Sequence, residues 1–145
     1  MQPSPSAATD EHVGVYGAWV QDGKLVTVEK ARGPYTGWFD LPGGSPEAGE
    51  STERTLRREL MEECGVAVDA IESWHEFDLH VDRASDGSAI DFRHRGQIAL
   101  VHVTSPVRSI EGVEDVARVV LLDLTDPAPV TPTVVLARGL LARLA

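Results

Sequence analysis

The chain has 145 residues, 42% of them hydrophobic and 25% charged, which is the size of one globular domain with a sizeable core. Its 23 acidic residues against 13 basic ones give a formal net charge of −10, which argues against binding to the phosphate backbone of a long nucleic acid. No apolar run approaches the ~20 residues that cross a bilayer and no signal peptide is recognisable, so we expect no membrane association and a cytoplasmic location.

The first elements form a hairpin after a polar tail. Residues 1–12 are rich in Pro, Ser and Ala and are predicted to be a flexible tail, with a single domain over residues 13–145. A strand is predicted over Val13–Val20. It is followed by Asp22-Gly23, a hairpin signal because a type I′ turn needs positive φ at both central residues. The return strand is predicted over Leu25–Glu29.

A loop and a helix come next. Residues 31–44 (ARGPYTGWFDLPGG) are punctuated by Gly and Pro and allow only short extended pieces. Ser51 is a suitable N-cap, Glu53 suits the first helical turn, and Gly65 is placed to end the helix. An apolar stripe recurs every four positions along this helix: Leu56, Leu60 and Cys64.

The second half alternates strands with a final helix. Residues Val66–Val81 are strand-rich, and Asp86-Gly87 marks a turn. Residues Gln97–Val103 are apolar on both faces, as in a central strand that is covered on both sides. A further strand is predicted over Val116–Leu124, and Thr131-Pro132 should begin a helix. Three leucines should pack this helix on the sheet: Leu136, Leu140 and Leu144. The order of elements predicts a mixed α and β fold with helices on both faces of the sheet.

Three glutamates of the first helix form an acidic cluster: Glu59, Glu62 and Glu63. They fall within an arc of ~100° beside the apolar stripe, and two carboxylates ~6 Å apart repel by roughly 3 kcal/mol at an effective dielectric near 20. One interpretation is a solvated helix face that arginines neutralise: Arg54, Arg57 and Arg58. The other is a site for Mg²⁺ or Mn²⁺, which prefer oxygen ligands.

The residues around this cluster resemble the signature of the Nudix hydrolase family. Gly44 is followed by five residues, Glu50, seven residues, and then Arg58-Glu59-Leu60-Met61-Glu62-Glu63-Cys64-Gly65-Val66. All nine specified positions of the signature are filled over a segment of 23 residues. The resemblance implies an α/β/α sandwich with a central mixed sheet, and hydrolysis of a diphosphate linked to another group.

The resemblance also implies a set of metal ligands. By this carry-over, Glu59 and Glu63 are direct ligands of Mg²⁺, for which Mn²⁺ can substitute. Glu62 shares the coordination or holds metal-bound water, and the carbonyl group of Gly43 is a further ligand.

The same resemblance suggests catalytic roles for Glu59, Glu62 and Arg58. Arg58 would orient a glutamate, and Glu50 would accept hydrogen bonds where the loop meets the helix, although a purely structural ion pair between them stays open. Glu59 is the first candidate for the general base. Acids of a later loop are the reserve candidates: Glu111, Glu114 and Asp115.

The substrate is predicted less directly. Tyr35 and Phe39 can stack on a base, and Arg93 can receive a phosphate group. The chain lacks the proline that marks ADP-ribose hydrolases of the family and the tyrosine that marks its dinucleoside polyphosphate hydrolases. The resemblance therefore favours a nucleoside triphosphate, including an oxidised one, cleaved to a monophosphate and pyrophosphate.

Several alternatives stay open. One is hydrolysis of ADP-ribose or another sugar diphosphate, and a second is a nucleotide-sensing module without catalysis, although such modules usually lose the glutamates of the signature. A third is an isomerase of prenyl diphosphates, which would need a catalytic cysteine outside the signature, whereas Cys64 lies within it. The small-molecule partner is a nucleotide or another nucleoside diphosphate derivative, and a homodimer is also compatible with the sequence.

Overall fold

The computed structural model describes residues 10–108, 112–113 and 115–144. These residues form eight strands and two helices: β1 (Asp10–Ala18), β2 (Val20–Gln21), β3 (Lys24–Lys30), β4 (Phe39–Asp40), β5 (Gly43–Gly44), α1 (Thr52–Cys64), β6 (Ala70–Arg83), β7 (Ala89–His102), β8 (Val116–Leu122) and α2 (Pro132–Leu144). Neither helix in the described part of the chain is long and apolar enough to cross a membrane.

The larger sheet is mixed, with the strand order β5-β1-β7-β6. β1 runs parallel to β7, whereas β5 is antiparallel to β1 and β6 is antiparallel to β7. The strand predicted over Gln97–Val103 is therefore part of the longer central strand β7, which has a partner on each side. A second sheet forms around β3, which pairs antiparallel with β2, β4 and β8.

The two faces of the larger sheet carry separate hydrophobic cores. Because successive side chains of a strand point to opposite faces, Ala99 and Val101 of β7 pack with α1, whereas Ile98 and Leu100 pack with α2. The stripe on α1 is fully buried at Leu56, Leu60 and Cys64. Burying a side chain such as leucine stabilises the fold by ~1.5–3 kcal/mol. The predicted α/β/α sandwich with helices on both faces is confirmed.

The local signals at the hairpin and at α1 are also confirmed. Asp22 and Gly23 have φ values of 54° and 77°, as the predicted turn requires. The hydroxyl group of Ser51 accepts a hydrogen bond from the backbone N–H of Arg54 at 3.2 Å. Gly65 ends the helix in the left-handed region at φ 67°, and its N–H donates to the carbonyl of Met61.

The first predicted strand differs from the observed one at both ends. β1 begins at Asp10 rather than Val13, because residues 10–12 pair in register with residues 92–94 of β7. At the other end, the chain leaves the larger sheet after Ala18 and joins the smaller sheet as β2. The predicted tail thus contributes three residues to β1, and residues 1–9 lie outside the described part of the chain.

The helix α2 begins where the Thr131-Pro132 signal predicts. Of the three leucines predicted to pack on the sheet, Leu140 is partly buried against the core, whereas the prediction for the other two is wrong. Leu136 and Leu144 are 39% and 58% exposed, while Val134 and Ala137 are fully buried. At the start of the helix, the hydroxyl groups of Thr131 and Thr133 donate hydrogen bonds to the buried carboxylate of Asp40. These two hydrogen bonds fix the rotation of the helix about its axis. The periodicity of apolar residues along a helix cannot predict a side-chain hydrogen bond to a distant segment.

Candidate active site

The glycine pair of β5 brings backbone close to the acidic cluster. Gly43 has φ 150°, and a Cβ atom there would lie 2.1 Å from the carbonyl oxygen of Val15. A Cβ atom on Gly44 would lie 2.8 Å from the carboxyl carbon of Glu59. Both distances are too short for real atoms, so only glycine allows β5 to lie between β1 and the carboxylates of α1.

Two carboxylates of α1 are buried at this junction. Glu59 is 3% exposed and Glu63 is 1% exposed. One oxygen of each is paired, since Glu59 Oε1 accepts from Arg58 at 2.8 Å and Glu63 Oε1 accepts from the N–H of Gly43 at 3.3 Å. The other oxygen of each, Oε2, is buried and has no hydrogen-bond partner among the described residues. Such oxygens are costly to bury unless a cation or a donor binds them.

Arg58 holds the acidic cluster together. Its guanidinium group forms a two-pronged pair with Glu50, with both N···O distances at 2.8 Å. It also donates to Glu59 at 2.8 Å and to Glu62 at 3.3 Å. These contacts raise the pKa of Arg58, chiefly through Glu50, and the Arg58 hydrogen bond lowers the pKa of Glu50 to about 2. The carboxylates of Glu50 and Glu59 therefore have a fixed orientation.

Arg58 is the arginine that contacts the acidic cluster, through Glu59 and Glu62. Arg57 pairs with Glu53 and donates to the carbonyl of Val68, so it lies away from the cluster. Burial, followed by the neighbouring carboxylate of Glu59, raises the pKa of Glu63 well above its ordinary value, and the charge of Lys30 opposes this only in part. Among the described residues, Glu63 receives its hydrogen bond from the backbone of Gly43 and not from an arginine.

The donor set fits a hard divalent cation. Two unpaired carboxylate oxygens from Glu59 and Glu63 lie at the same junction, with Glu62 and the backbone of Gly43 and Gly44 beside them. In the described part of the chain, no group of three or more acidic, histidine or cysteine side chains is arranged to hold a metal ion by itself. Mg²⁺ usually takes one or two carboxylates and completes its shell with water and substrate phosphates, so this donor set is sufficient.

A cavity of about 510 Å³ opens above the acidic cluster and is called here the outer cavity. Its cationic side chains are Lys30, Arg32 and Arg58, which suit a phosphate chain. Lys30 also forms an ion pair with Asp115 at the same wall. The complete lining is His12, Tyr16, Lys30, Arg32, Gly43, Gly44, Ser45, Glu47, Arg58, Glu59, Glu62 and Asp115.

A smaller space of about 150 Å³, called here the inner cavity, shares several of these wall residues. His94 is 1% exposed, and both of its ring nitrogens are bonded to tyrosine hydroxyls, Nε2 to Tyr16 at 2.8 Å and Nδ1 to Tyr35 at 3.2 Å. Burial, with smaller contributions from His12 and Lys30, lowers the pKa of His94 to about 3. The imidazole is therefore neutral and serves as a rigid part of an aromatic wall.

The structure separates the three residues that were predicted to bind substrate. Tyr35 lines the inner cavity. Phe39 lies in β4 and is not part of the lining of either cavity, and Arg93 is exposed and pairs with Asp78 at 2.7 Å on β6. Of the reserve base candidates, Asp115 lines both cavities. The other two lie outside the described residues: Glu111 and Glu114.

Sequence reasoning missed several residues of these cavities. Lys30 is the last residue of β3, Arg32 lies two positions beyond it, and neither belongs to a motif. His12 was assigned to the tail. Asp40 stands between Phe39 and Leu41 in a short extended piece. A lone acidic residue between apolar ones was the only feature of the sequence that could have indicated a functional role for it. Their importance follows from their common location, which the strand pairing creates.

Comparison with known proteins agrees with this geometry. Residues 9–136 match the NUDIX domain family. A segment of 54 residues is 39% identical to an ADP-ribose pyrophosphatase from Methanocaldococcus jannaschii and covers 37% of this chain and 32% of the relative. A segment of 67 residues is 38% identical to the nucleoside triphosphatase NudI from an Enterobacter species and covers 44% of this chain and 48% of the relative. The matches thus span between a third and a half of these relatives.

Solved structures show the same fold over nearly the whole chain. A MutT NUDIX hydrolase from Burkholderia pseudomallei superposes with a TM-score of 0.70 at 29% identity, covering 90% of this chain and 97% of that one. The NUDIX domain of NrtR from Shewanella oneidensis, solved with ADP ribose, gives a TM-score of 0.70 at 22% identity and covers 99% and 94% of the two chains.

Proposed function

This chain belongs to the NUDIX domain family, and from that premise we propose that it hydrolyses a phosphoanhydride bond of a nucleoside diphosphate derivative. The favoured substrate is a nucleoside triphosphate, and the products are a nucleoside monophosphate and pyrophosphate. The observation that carries this proposal is the pair of buried, unpaired carboxylate oxygens on Glu59 and Glu63. Glu59 also lines the outer cavity, together with the cationic side chains of Lys30 and Arg32.

The protein's part in the reaction begins with binding and orientation. Glu59 and Glu63, with Glu62 and the carbonyl group of Gly43, would hold Mg²⁺ or Mn²⁺. When bound, such an ion neutralises phosphate charge and lowers the pKa of a nearby water. Arg58 fixes the carboxylate of Glu59 through a hydrogen bond of 2.8 Å, so that its second oxygen faces the reacting groups.

The proposed chemical step is an in-line displacement at phosphorus. The oxygen atom of a water forms a bond to phosphorus while the bridging P–O bond breaks, and pyrophosphate leaves with the electron pair of that bond. The proton of the water passes to a carboxylate, for which Glu59 Oε2 is the first candidate and Asp115 the reserve. Lys30 and Arg32 lie where they can bind the phosphate oxygens.

The dimensions of the site favour one nucleoside. The inner cavity of about 150 Å³ holds a single ring system, and the wider outer cavity accepts the phosphates. The match to a nucleoside triphosphatase supports a triphosphate, whereas the match to an ADP-ribose pyrophosphatase supports a sugar diphosphate as the second candidate.

A substrate panel tests this proposal. Nucleoside triphosphates, ADP-ribose, sugar nucleotides and dinucleoside polyphosphates should be compared with Mg²⁺ or Mn²⁺ and with excess chelator, and the products separated. We expect a monophosphate and pyrophosphate, loss of turnover with chelator, and a kcat/KM at least tenfold higher for a triphosphate. A tenfold preference for ADP-ribose would overturn the triphosphate assignment, and full turnover without divalent metal would overturn the mechanism.

A further inference from the structure

The carboxylate of Asp40 in the inner cavity is bonded on one side only. Asp40 is 2% exposed, yet it lines the cavity. Its Oδ1 accepts hydrogen bonds from the N–H of Leu41 at 2.8 Å and from the hydroxyls of Thr131 and Thr133 at 2.7 and 2.6 Å. Hydrogen bonds from described residues reach Asp40 only at Oδ1, and Oδ2, which is not among the fully buried unpaired atoms, is left as the acceptor toward the cavity.

The contact of Asp40 with the start of α2 explains only one of its two carboxylate oxygens. Its Oδ1 holds the first turn of the helix, where a negative charge is favourable. An asparagine could accept the same three hydrogen bonds through its carbonyl oxygen without the cost of a buried charge. The anchor therefore accounts for Oδ1 but gives no reason for a second acceptor at Oδ2.

The surroundings of Asp40 indicate what Oδ2 meets. Tyr35 and Phe92 form an edge-to-face pair with ring centroids 6.0 Å apart, and His94 completes an aromatic wall. Because both nitrogens of His94 are bonded to tyrosines, the ring has no free polar atom to offer a ligand. Asp40 is thus a buried acceptor in a pocket of flat, mostly apolar walls, an environment that suits a planar heterocycle with an N–H donor at its edge.

The position of the inner cavity connects this heterocycle to the reacting phosphates. Lys30 and Arg32 line both cavities, which therefore adjoin each other. A nucleotide with its phosphates in the outer cavity therefore points its base into the inner one. We propose that Asp40 determines base specificity by accepting a hydrogen bond from an exocyclic amino group, so that amino-bearing bases are preferred to oxo-bearing ones.

This inference rests on the proposed function, and it names the class of base within it. An oxo group opposite Asp40 would set two acceptors against each other, with no donor between them. In uracil and hypoxanthine a ring N–H lies beside the oxo group, and only a shifted ring could bring that N–H to Oδ2. Held in the position of its amino-bearing counterpart, such a base would leave Oδ2 without a donor. A site built around a polar contact discriminates strongly against ligands that cannot form it.

Matched nucleotide pairs test the preference in the wild-type protein. GTP against ITP differs by the 2-amino group, CTP against UTP by amino or oxo at position 4, and ATP against ITP by amino or oxo at position 6. In the pair that contains the best substrate, we expect the amino-bearing member to have a kcat/KM at least tenfold higher. An oxo-bearing member that equals or exceeds its partner there would overturn the inference.

Two variants separate base recognition from the anchoring of α2. Asp40→Asn keeps the carbonyl acceptor for the three donors and replaces Oδ2 with an amide donor, so the preference should fall below threefold or invert. Thr131→Val removes one donor to Oδ1 and leaves Oδ2 intact, so it should lower the melting temperature and keep the preference. Retention of the wild-type preference in a folded Asp40→Asn protein would contradict the proposal.

A binding measurement makes the test independent of turnover. Titration calorimetry of the wild-type protein with GMP, IMP, CMP and UMP should show the same preference for amino groups in the Kd values, even if Asp40→Asn does not fold. Absence of hydrolysis for every nucleotide in the panel would overturn the proposed function alone. Equal affinity for the matched monophosphates would overturn the role of Asp40 alone.

Discussion

The two cavities meet at Lys30, but they are built in opposite ways. The acidic cluster lies within five consecutive positions of one helix and leaves two buried oxygens unpaired, on Glu59 and Glu63. The inner cavity draws its polar groups from distant segments. His94, for example, is hydrogen-bonded through its two ring nitrogens to Tyr16, 78 positions away, and to Tyr35. The reactive end is incomplete without a ligand, whereas the aromatic wall at the other end is complete.

This difference separates chemistry from selectivity. The unpaired carboxylates repel each other when both are charged, and a bound cation would remove that repulsion. The arrangement is therefore expected to be stable when a cation is bound. The paired tyrosines and histidine stabilise a rigid wall that holds a shape whether or not a ligand is present. Substitutions at the acidic cluster should therefore change kcat, and those at the inner cavity should change KM or specificity.

The largest effect is expected from Glu59→Gln. The change keeps the volume and hydrogen-bonding reach of the side chain but removes charge and basicity, so kcat should fall by about 100-fold or more with an unchanged fold. Steady-state kinetics with circular dichroism measures both. Glu53→Gln, on the exposed first turn of the same helix, is the control and should leave kcat unchanged. Near-normal turnover of Glu59→Gln would contradict this assignment and favour Asp115, or another acid of its loop, as the general base.

The next effect is on the free energy of unfolding, which should depend on pH with opposite signs for His94 in the inner cavity and for Glu63 in the acidic cluster. His94 has a pKa lowered to about 3 by burial, so the native state binds fewer protons than the unfolded state between pH 3 and 6.5. Its contribution to stability is complete above pH 6.5 and is lost as the pH falls. Glu63 has a raised pKa, so its contribution is complete below pH 4.5 and is lost as the pH rises. Each slope is at most about 1.4 kcal/mol per pH unit.

Urea unfolding with excess chelator, compared between wild type and two variants, measures these contributions. The free energy of unfolding of the wild type relative to His94→Gln should fall toward acid pH. Relative to Glu63→Gln, it should fall as the pH rises above 4.5. Differences that stay constant across the pH range would show that the burial of these two groups does not change their proton binding on folding.

The smallest effect is expected from Tyr35→Ala. Stacking of a base on an aromatic side chain contributes ~1–3 kcal/mol, so loss of the ring should raise KM about tenfold and lower kcat less. Phe39→Ala is the matched comparison, because this ring belongs to the lining of neither cavity. A KM that rises equally in both variants would place the base elsewhere than in the inner cavity.

The sequence by itself determined the features that depend on local patterns. The period of the helix placed the stripe and the acidic cluster side by side on α1, and Ser51 and Gly65 marked its ends. The fixed spacing from Gly44 to Val66 indicated the family and its α/β/α fold. These features need only neighbouring residues, because helix geometry converts spacing along the chain into position.

The tertiary structure alone decided where the distant polar residues meet. The change of sheet after Ala18 and the rotation of α2 follow from pairing across the fold, and the contact of Asp40 with Thr133 joins residues 93 positions apart. Strand register and helix docking create such contacts, and a shift of one residue in a strand turns every side chain to the other face. The inner cavity was therefore not predictable from the pattern of any single segment, because residues from separate segments form it.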